Sequence, residues 1–219
     1  MKDRLMKFIK KNLKWILLFI FIVAFAEVTI RVYGNDIMRR DIIGYKLISK
    51  LISDKVTPIA IFITQFGSAI VLIILSVLLL VIIKNKKIGT SIILNLFLVG
   101  VLNQLLKHIV QRPRPTEFRI IDERGYSFPS GHSMASVAFY GFLIYLIYKK
   151  VENKKLKIFS IIILTILIAL IGSSRIYLGV HYTSDVLAGL FISISYLLIY
   201  TSIIDDYIGT NKIDKEEIK

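Results

Sequence analysis

Residues 158–174 read IFSIIILTILIALIGSS, an apolar stretch without a charged side chain. A helix of about twenty apolar residues crosses the roughly 30 Å hydrocarbon core of a bilayer, a length that a soluble core does not require. Backbone amides inside lipid must be hydrogen-bonded within their own segment, and nothing in this sequence alternates with the period of a β-barrel strand. The stretch therefore predicts a membrane-spanning helix, and the chain an all-α fold.

Other apolar stretches resemble this one. Together they predict six spans, over residues 15–30, 59–83, 88–106, 130–148, 158–174 and 186–204. The first stretch also resembles a signal peptide that ends at Ala24-Phe25-Ala26, but its apolar residues continue to Ile30, which favours an uncleaved helix. We expect a six-transmembrane-helix bundle that forms a single integral membrane domain over residues 1–219.

The composition agrees with a membrane protein. Of the 219 residues, 55% are hydrophobic, yet the formal net charge is +14, so apolar and charged residues must be segregated along the chain. An excess of Lys and Arg can indicate a nucleic-acid partner, but cytoplasmic loops of membrane proteins accumulate the same residues, and we expect no nucleic acid. The chain has no cysteine, which excludes disulfides, thiolate chemistry and Cys-ligated zinc.

The distribution of Lys and Arg predicts the orientation. The two tails and the turns at residues 84–87 and 149–157 carry more of them than the longer loops of the opposite side. The positive-inside rule then places both termini in the cytoplasm. On the outer side, residues 41–56 have the apolar spacing of an amphipathic helix in the membrane interface, which either guides lipids sideways or only connects two spans.

Three polar clusters interrupt this apolar chain, at residues 107–115, 128–132 and 174–185. Polar side chains at membrane depth are costly unless they line water or a functional site. The predicted topology places all three clusters on the outer side, at the ends of the third and fifth spans and the starts of the fourth and sixth. We therefore expect them to share one pocket.

This pocket would contain the cations Lys107, Arg114 and Arg175, with Ser130 and Gly131 at the start of a helix. Guanidinium groups bind phosphate oxygens bidentately and keep their charge. The first amides of a helix are unpaired and attract an anion, and glycine lets the backbone approach it closely. The combination predicts a phosphate site.

His181 and Asp185 are four residues apart, so they share one face if the last helix begins by about Thr183. The carboxylate can then fix the tautomer of the imidazole and leave its other nitrogen free to attack phosphorus. Nearby cations disfavour the imidazolium and help to keep this ring neutral. His132 remains to protonate the leaving group and then to activate water.

These residues resemble a known family. The pattern of Lys107, six residues, Arg114-Pro115; Pro129-Ser130-Gly131-His132; and Ser174-Arg175, five residues, His181, three residues, Asp185 is similar to the three-part signature of the type-2 phosphatidic acid phosphatase superfamily, within about residues 100–190. The resemblance implies that His181 is the nucleophile, Asp185 its orienting partner and His132 the acid and base. It implies that the phosphoryl group is held by Lys107, Arg114, Ser130, Gly131 and Arg175. It also implies a six-span fold with an outward-facing active site.

We therefore expect an enzyme that hydrolyses a lipid phosphate monoester or pyrophosphate through a phosphohistidine. No carboxylate cluster that could hold magnesium accompanies the cations, so neither metal nor cofactor is expected. Undecaprenyl pyrophosphate, phosphatidylglycerol phosphate and phosphatidic acid stay open as substrates, because the motifs bind phosphate without reading the lipid tail. The alternative is a non-enzymatic lipid phosphate carrier or receptor, although a receptor gains nothing from an oriented neutral imidazole.

Further polar residues near the clusters receive structural interpretations. Arg112 either touches an outer phosphate of the substrate or is a loop charge, and the family spacing, which selects Arg114, favours the loop charge. Asn95, Asn103 and Gln104, in the third span, are predicted to form hydrogen bonds between helices. The sequence does not decide the oligomeric state.

Overall fold

The computed structural model describes residues 2–34 and 39–209, and within these ranges it contains helices and no strand. The predicted all-α fold is confirmed. In chain order the helices are α1 (Lys2–Tyr33), α2 (Arg39–Ser49), α3 (Val56–Gln65), α4 (Ala69–Ile82), α5 (Lys86–Val110), α6 (Gly131–Lys150), α7 (Lys154–Tyr177) and α8 (Thr183–Ile208).

Five of the described helices, α1 and α5 to α8, are each long and apolar enough to cross a membrane. Helices α3 and α4 meet at an angle of 50° across a short break and complete a sixth span if they are taken together. The six-span bundle is therefore confirmed. The continuous second span that the sequence predicts over residues 59–83 is wrong in detail, because the structure divides it.

The break between α3 and α4 is stabilised by contacts that are distant in sequence. Ser68 caps α4 by accepting a hydrogen bond from the amide of Val71, at 3.4 Å. The hydroxyl of Tyr140 on α6 donates to the carbonyl of Phe66, at 2.9 Å, and so satisfies a backbone group next to the break. A Cβ at Gly67 would lie 2.5 Å from Ile171 Cγ2, so only glycine allows this close approach.

Helix α6 is at the centre of the bundle and contacts α4, α5, α7 and α8. Half of the apolar segment of α6 is buried inside the protein, compared with 6% for α1 and 11% for α7. Most of the surface of α1 and α7 is therefore left to face lipid. Two side-chain amides of α5 form hydrogen bonds with α6 and with the residues just before it. Asn95 Nδ2 donates to the Ala138 carbonyl at 2.6 Å, and Asn103 Nδ2 donates to the Pro129 carbonyl at 3.1 Å. These predicted contacts are confirmed, whereas Gln104 is exposed and its side chain makes no such bond among the described residues.

Helix α2 occupies part of the segment that the sequence assigns to the membrane interface. It packs on α7 and α8, and a Cβ at Gly44 would lie 2.0 Å from Thr183 Oγ1 at the start of α8. Ile42, Ile43 and Leu47 are exposed on it. That this helix lies in the membrane interface stays a prediction.

Candidate active site

One end of the bundle brings together four helix ends and two connecting segments. These are the ends of α5 and α7, the starts of α6 and α8, and residues 111–130 and 178–182. Direct contacts join them: Arg114 Nη1 lies 3.1 Å from His181 Nε2, and the Ser130 amide donates to the Asp185 carbonyl at 3.0 Å. The structure brings together Lys107, Arg114, Ser130, Gly131, His132, Arg175, His181 and Asp185. The three sequence clusters therefore form one site.

The geometry fixes the tautomer of His181. Its ring is buried, and Nδ1 lies 3.4 Å from Asp185 Oδ2 while Nε2 lies 3.1 Å from Arg114 Nη1. An arginine can only donate hydrogen bonds, so Nε2 must accept with its lone pair. The ring proton is then on Nδ1 and points to the carboxylate. The nitrogen that carries the lone pair faces the cations.

The surroundings of His181 also keep its ring neutral. Burial lowers its pKa to about 4; the hydrogen bond and charge of Asp185 oppose this shift, and the charges of Arg175 and Arg114 add to it. The ring is therefore uncharged at neutral pH, as a nucleophile must be. The carboxylate orients the ring without protonating it.

Asp185 is fully buried, and each of its oxygens accepts a hydrogen bond from another donor. Oδ1 accepts from Arg112 Nη1 at 2.7 Å, and Oδ2 accepts from the Tyr182 amide at 2.9 Å in addition to its contact with His181. A buried carboxylate needs such partners to remain charged. Its position is fixed from two directions.

The interpretation of Arg112 as a loop charge is wrong. Its side chain is only 9% exposed, Nη2 donates to Asp41 Oδ2 at 2.8 Å, and Nη1 donates to Ser184 Oγ at 2.7 Å as well as to Asp185. Its guanidinium lies 3.9 Å from the centre of the Tyr182 ring. Burial alone lowers the pKa of Arg112, but the two carboxylates outweigh burial and raise this pKa above its ordinary value.

The backbone before Arg112 explains why it turns inward. Helix α5 ends where Gln111 adopts a left-handed conformation, with φ of 51°, and its amide donates to the Lys107 carbonyl at 2.9 Å. Arg112 and Arg114 each precede a proline, which restricts both to extended conformations. The pattern Arg-Pro-Arg-Pro indicates that Arg112 can be held as firmly as Arg114, because both arginines have equally restricted backbones.

Arg114 and Arg175 hold the region in front of His181. Arg114 is anchored to three carbonyls, of Gly125, Val180 and Arg124, at 2.9 to 3.2 Å. Arg175 Nη1 donates to Thr64 Oγ1 at 2.8 Å, while its Nε is buried and has no partner among the described residues.

An acidic side chain that belongs to none of the three sequence clusters lies between these arginines. The carboxylate of Glu123 is hydrogen-bonded to Arg175 Nη2 and lies 3.8 Å from Arg114 Nη1. An anionic group therefore already occupies part of the cationic pocket. Lys107, whose ammonium donates to the Tyr126 carbonyl, is close enough to Arg114 and Arg175 to interact with their charges.

The start of α6 differs in part from the expected anion site. Ser130 caps the helix, and its Oγ accepts from the Ser133 amide at 3.4 Å. However, the Ser130 amide is already bonded to the Asp185 carbonyl, so it is not available to an anion. The amides of Gly131 and His132 make no hydrogen bond within the described chain and remain available.

Two cavities adjoin the site, one at each histidine. A mainly apolar crevice of about 830 Å³ lies between α4, α5 and α6, and His132 and Gly131 are among its lining residues. A second cavity of about 470 Å³ lies between α2 and the segment 115–118, and it reaches His181 and Tyr182. Within residues 2–34 and 39–209, no group of three or more His, Cys, Asp or Glu side chains is placed to hold a metal ion.

Comparison with known proteins gives concordant matches. The model of the PAP2 superfamily matches residues 88–208. The chain is 40% identical over 89 residues to phosphatidylglycerophosphatase B of Bacillus subtilis, a match that covers 40% of this chain and 44% of that protein. It is 26% identical over 186 residues to an undecaprenyl-diphosphatase of Sulfolobus acidocaldarius, which covers 82% of this chain and 85% of the relative.

The fold is also similar to a solved structure. The crystal structure of a transmembrane PAP2-type phosphatidylglycerolphosphate phosphatase from Bacillus subtilis aligns with a TM-score of 0.78 and 25% identity. The alignment covers 86% of this chain and 96% of the other.

Proposed function

The chain belongs to the PAP2 superfamily, whose model matches more than half of it, and from this membership we propose that it is an integral membrane enzyme that hydrolyses a lipid phosphate monoester or pyrophosphate. The observation that carries the proposal is the neutral ring of His181, whose lone pair faces the cationic pocket while its other nitrogen faces Asp185. An anion receptor needs the cations but not an oriented nucleophile. The arrangement therefore favours catalysis over binding alone.

In the first step, His181 Nε2 attacks the terminal phosphorus and a nitrogen–phosphorus bond forms. The bond from that phosphorus to the leaving oxygen breaks, and this is the lipid oxygen of a monoester or the bridging oxygen of a pyrophosphate. Arg114, which donates to this nitrogen in the free protein, transfers its hydrogen bond to a phosphoryl oxygen. The positive charge that develops on the ring is stabilised by Asp185. The negative charge of the bound phosphate favours the protonated form of His132, which gives its proton to the departing oxygen.

In the second step, water attacks the phosphohistidine. His132 is now neutral and takes a proton from that water, so it returns to its starting state while phosphate leaves and His181 is regenerated. The acid of one step is the base of the next, and no other proton carrier is required.

Charge on the phosphoryl oxygens is stabilised by Lys107, Arg114 and Arg175, together with the amides of Gly131 and His132. The buried Nε of Arg175 has no acceptor among residues 2–34 and 39–209, and a phosphate oxygen can serve as one. A bound phosphate competes with Glu123 for the arginines, because both are anions at the same groups.

The crevice beside His132 supports a lipid as the leaving group. In-line attack by His181 places the leaving oxygen on the side of His132. The crevice that begins there is mainly apolar and is bordered by exposed residues of α4 and α5, including Ile73, Phe97 and Leu105, so an acyl or prenyl chain fits it. Phosphatidylglycerol phosphate, undecaprenyl pyrophosphate and phosphatidic acid are the candidate substrates, and the crevice does not select among them.

We place both termini in the cytoplasm and the site on the opposite face, on the basis of the Lys and Arg distribution. Single-cysteine variants test this, because the chain has no cysteine of its own. Arg124→Cys in the segment beside the site should react with a membrane-impermeant maleimide on intact cells, and Lys86→Cys at the start of α5 should not. The reverse labelling pattern would overturn the orientation.

Phosphate release by the purified protein tests the function. The panel consists of the three lipids and a soluble phosphate ester, each with and without excess chelator and vanadate. We expect turnover of at least one lipid, survival in chelator and inhibition by vanadate, which mimics a trigonal-bipyramidal phosphorus. A preference for the soluble ester would contradict the lipid assignment, and lipid binding without phosphate release would favour the carrier.

A further inference from the structure

A chain of buried polar contacts extends from α2 to the candidate nucleophile. Asp41 accepts from Arg112 at 2.8 Å, Arg112 donates to Asp185 at 2.7 Å, and Asp185 contacts His181 at 3.4 Å. We propose that Arg112 and Asp41 are positioning residues, which hold Asp185 and through it fix the tautomer and orientation of His181. The inference rests on the proposed role of His181 as the nucleophile.

Arg112 is bound in a way that excludes it from phosphate binding. Nη1 donates to both Ser184 Oγ and Asp185 Oδ1, Nη2 donates to Asp41, and one face of the guanidinium is covered by Tyr182. Its contacts are therefore with residues that support the nucleophile. Arg114, two residues later, donates to His181 itself. The two arginines of the Arg-Pro-Arg-Pro segment thus have different tasks.

Asp41 connects α2 to the same point. Its Oδ1 accepts from the Ser184 amide at 2.7 Å, and its Oδ2 accepts from Ser184 Oγ at 3.0 Å. Ser184 directly precedes Asp185 in the first turn of α8, so Asp41 fixes the backbone from which Asp185 extends. Gly44 allows α2 to lie this close to α8, because a Cβ at this position would collide with the side chain of Thr183.

Charge balance gives the network its energetic basis. Asp41, Arg112 and Asp185 are all buried, and a buried carboxylate without a partner would shift toward its protonated form. A protonated Asp185 could no longer accept from Nδ1 of His181 in the same way. The guanidinium therefore keeps Asp185 ionised and in place, which is the condition for a single imidazole tautomer.

A double-mutant cycle on phosphate release tests whether Arg112 acts through Asp185. We expect Arg112→Lys, which keeps the charge but loses the planar fork, to lower kcat about 10- to 100-fold with KM changed less than about threefold. In an Asp185→Asn background, the same substitution should cost less than about threefold. Fully additive losses would overturn the inference. Arg124→Lys, an exposed arginine of the same segment, is the matched control.

Nitrogen NMR gives a second readout that does not need turnover. The chain has 3 histidines, so uniform ¹⁵N-histidine labelling gives few signals, and His108→Gln and His132→Gln assign them. We expect His181 Nε2 to be unprotonated in the wild type and its signals to shift in Arg112→Lys, in Asp41→Asn and in the milder Ser184→Ala, but not in Arg124→Lys.

The two readouts separate the possible failures. Unchanged His181 nitrogen signals in all three network variants would overturn the positioning role even if the wild type releases phosphate. If the wild type releases no phosphate, the proposed function fails, and the nitrogen signals still decide whether Arg112 and Asp41 position His181.

Discussion

His181 and His132 belong to the same site, but their surroundings differ. His181 is 4% exposed, and each nitrogen of its ring has a polar partner: Asp185 at Nδ1 and Arg114 at Nε2. The ring of His132 borders the apolar crevice, and no side chain or carbonyl in the described part of the chain hydrogen-bonds to it. A nucleophile needs one fixed tautomer, whereas a group that gives and takes protons must be free to reach substrate and water. The contrast predicts which losses are total and which are partial.

The largest effect is expected at the fixed ring. His181→Asn removes the nitrogen that attacks phosphorus, so kcat should fall by about 10⁴-fold or more, and no phosphohistidine should be trapped by rapid quenching. Phosphate release and the acid-labile phosphate on the protein are the two measurements. The matched control is His108→Asn, an exposed histidine on α5. Retention of more than about 1% of the activity would remove His181 from the chemistry.

His132 should show a smaller and conditional loss. His132→Asn should lower kcat for a lipid substrate by about 10²- to 10⁴-fold, because both the departing oxygen and the attacking water lose their proton partner. An aryl phosphate, whose leaving group needs no proton, should regain the first step, so that phosphohistidine accumulates in an initial burst. Equal losses with the lipid and the aryl phosphate would contradict the acid–base role.

Asp185→Asn tests whether the carboxylate of Asp185 fixes the tautomer of His181. Arg112 retains the oxygen of the amide, so its NH₂ group is placed toward His181 Nδ1, where a donor would meet a donor. The ring must then move its proton to Nε2, which removes the attacking lone pair, and we expect kcat at pH 7 to fall by about 10²-fold or more.

The same variant should move the acid limb of kcat/KM. The pKa of His181 is about 4, and the ring becomes protonated as the pH falls toward that value. Asp185 raises this pKa, so its neutral replacement lowers the pKa further, and the acid limb moves to lower pH. Because substrate ionisation is common to both proteins, the difference between their pH profiles isolates the histidine. A shift to higher pH would contradict the assigned contact.

The difference between the two histidines also shows what sequence can predict. The candidate residues lie at helix ends, and the order of the spans brings alternate helix ends to one side, so the sequence predicts that they share a site. The partners of Arg112 were not predictable in this way, since Asp41 and Asp185 lie 71 and 73 residues away and no local pattern selects them. The bonded amide of Ser130 and the broken second span have the same origin, because each depends on a contact with another helix.

The smallest effect on the kinetics is expected from a substitution in the apolar crevice beside His132. Gly100 of α5 lines this crevice, and a Cβ placed there would meet nothing within 4 Å. Gly100→Phe therefore adds a ring to the crevice from a position where the Cβ itself meets no described protein atom, and phenylalanine is also the better helix former. The chemistry at His181 is untouched by this change. Any effect must come from the lipid chain.

The size of that effect follows from the solvent. Bilayer lipid is as apolar as the crevice, so a chain displaced by the new ring loses packing contacts but no hydrophobic free energy. We expect KM for a long-chain lipid phosphate to rise about threefold to tenfold, with kcat and all constants for a short-chain soluble analogue unchanged. Leu94→Phe, on an exposed part of α5 outside the crevice, is the matched control. If the long and short substrates respond alike, the crevice does not hold the chain, and the open surroundings of His132 need another explanation.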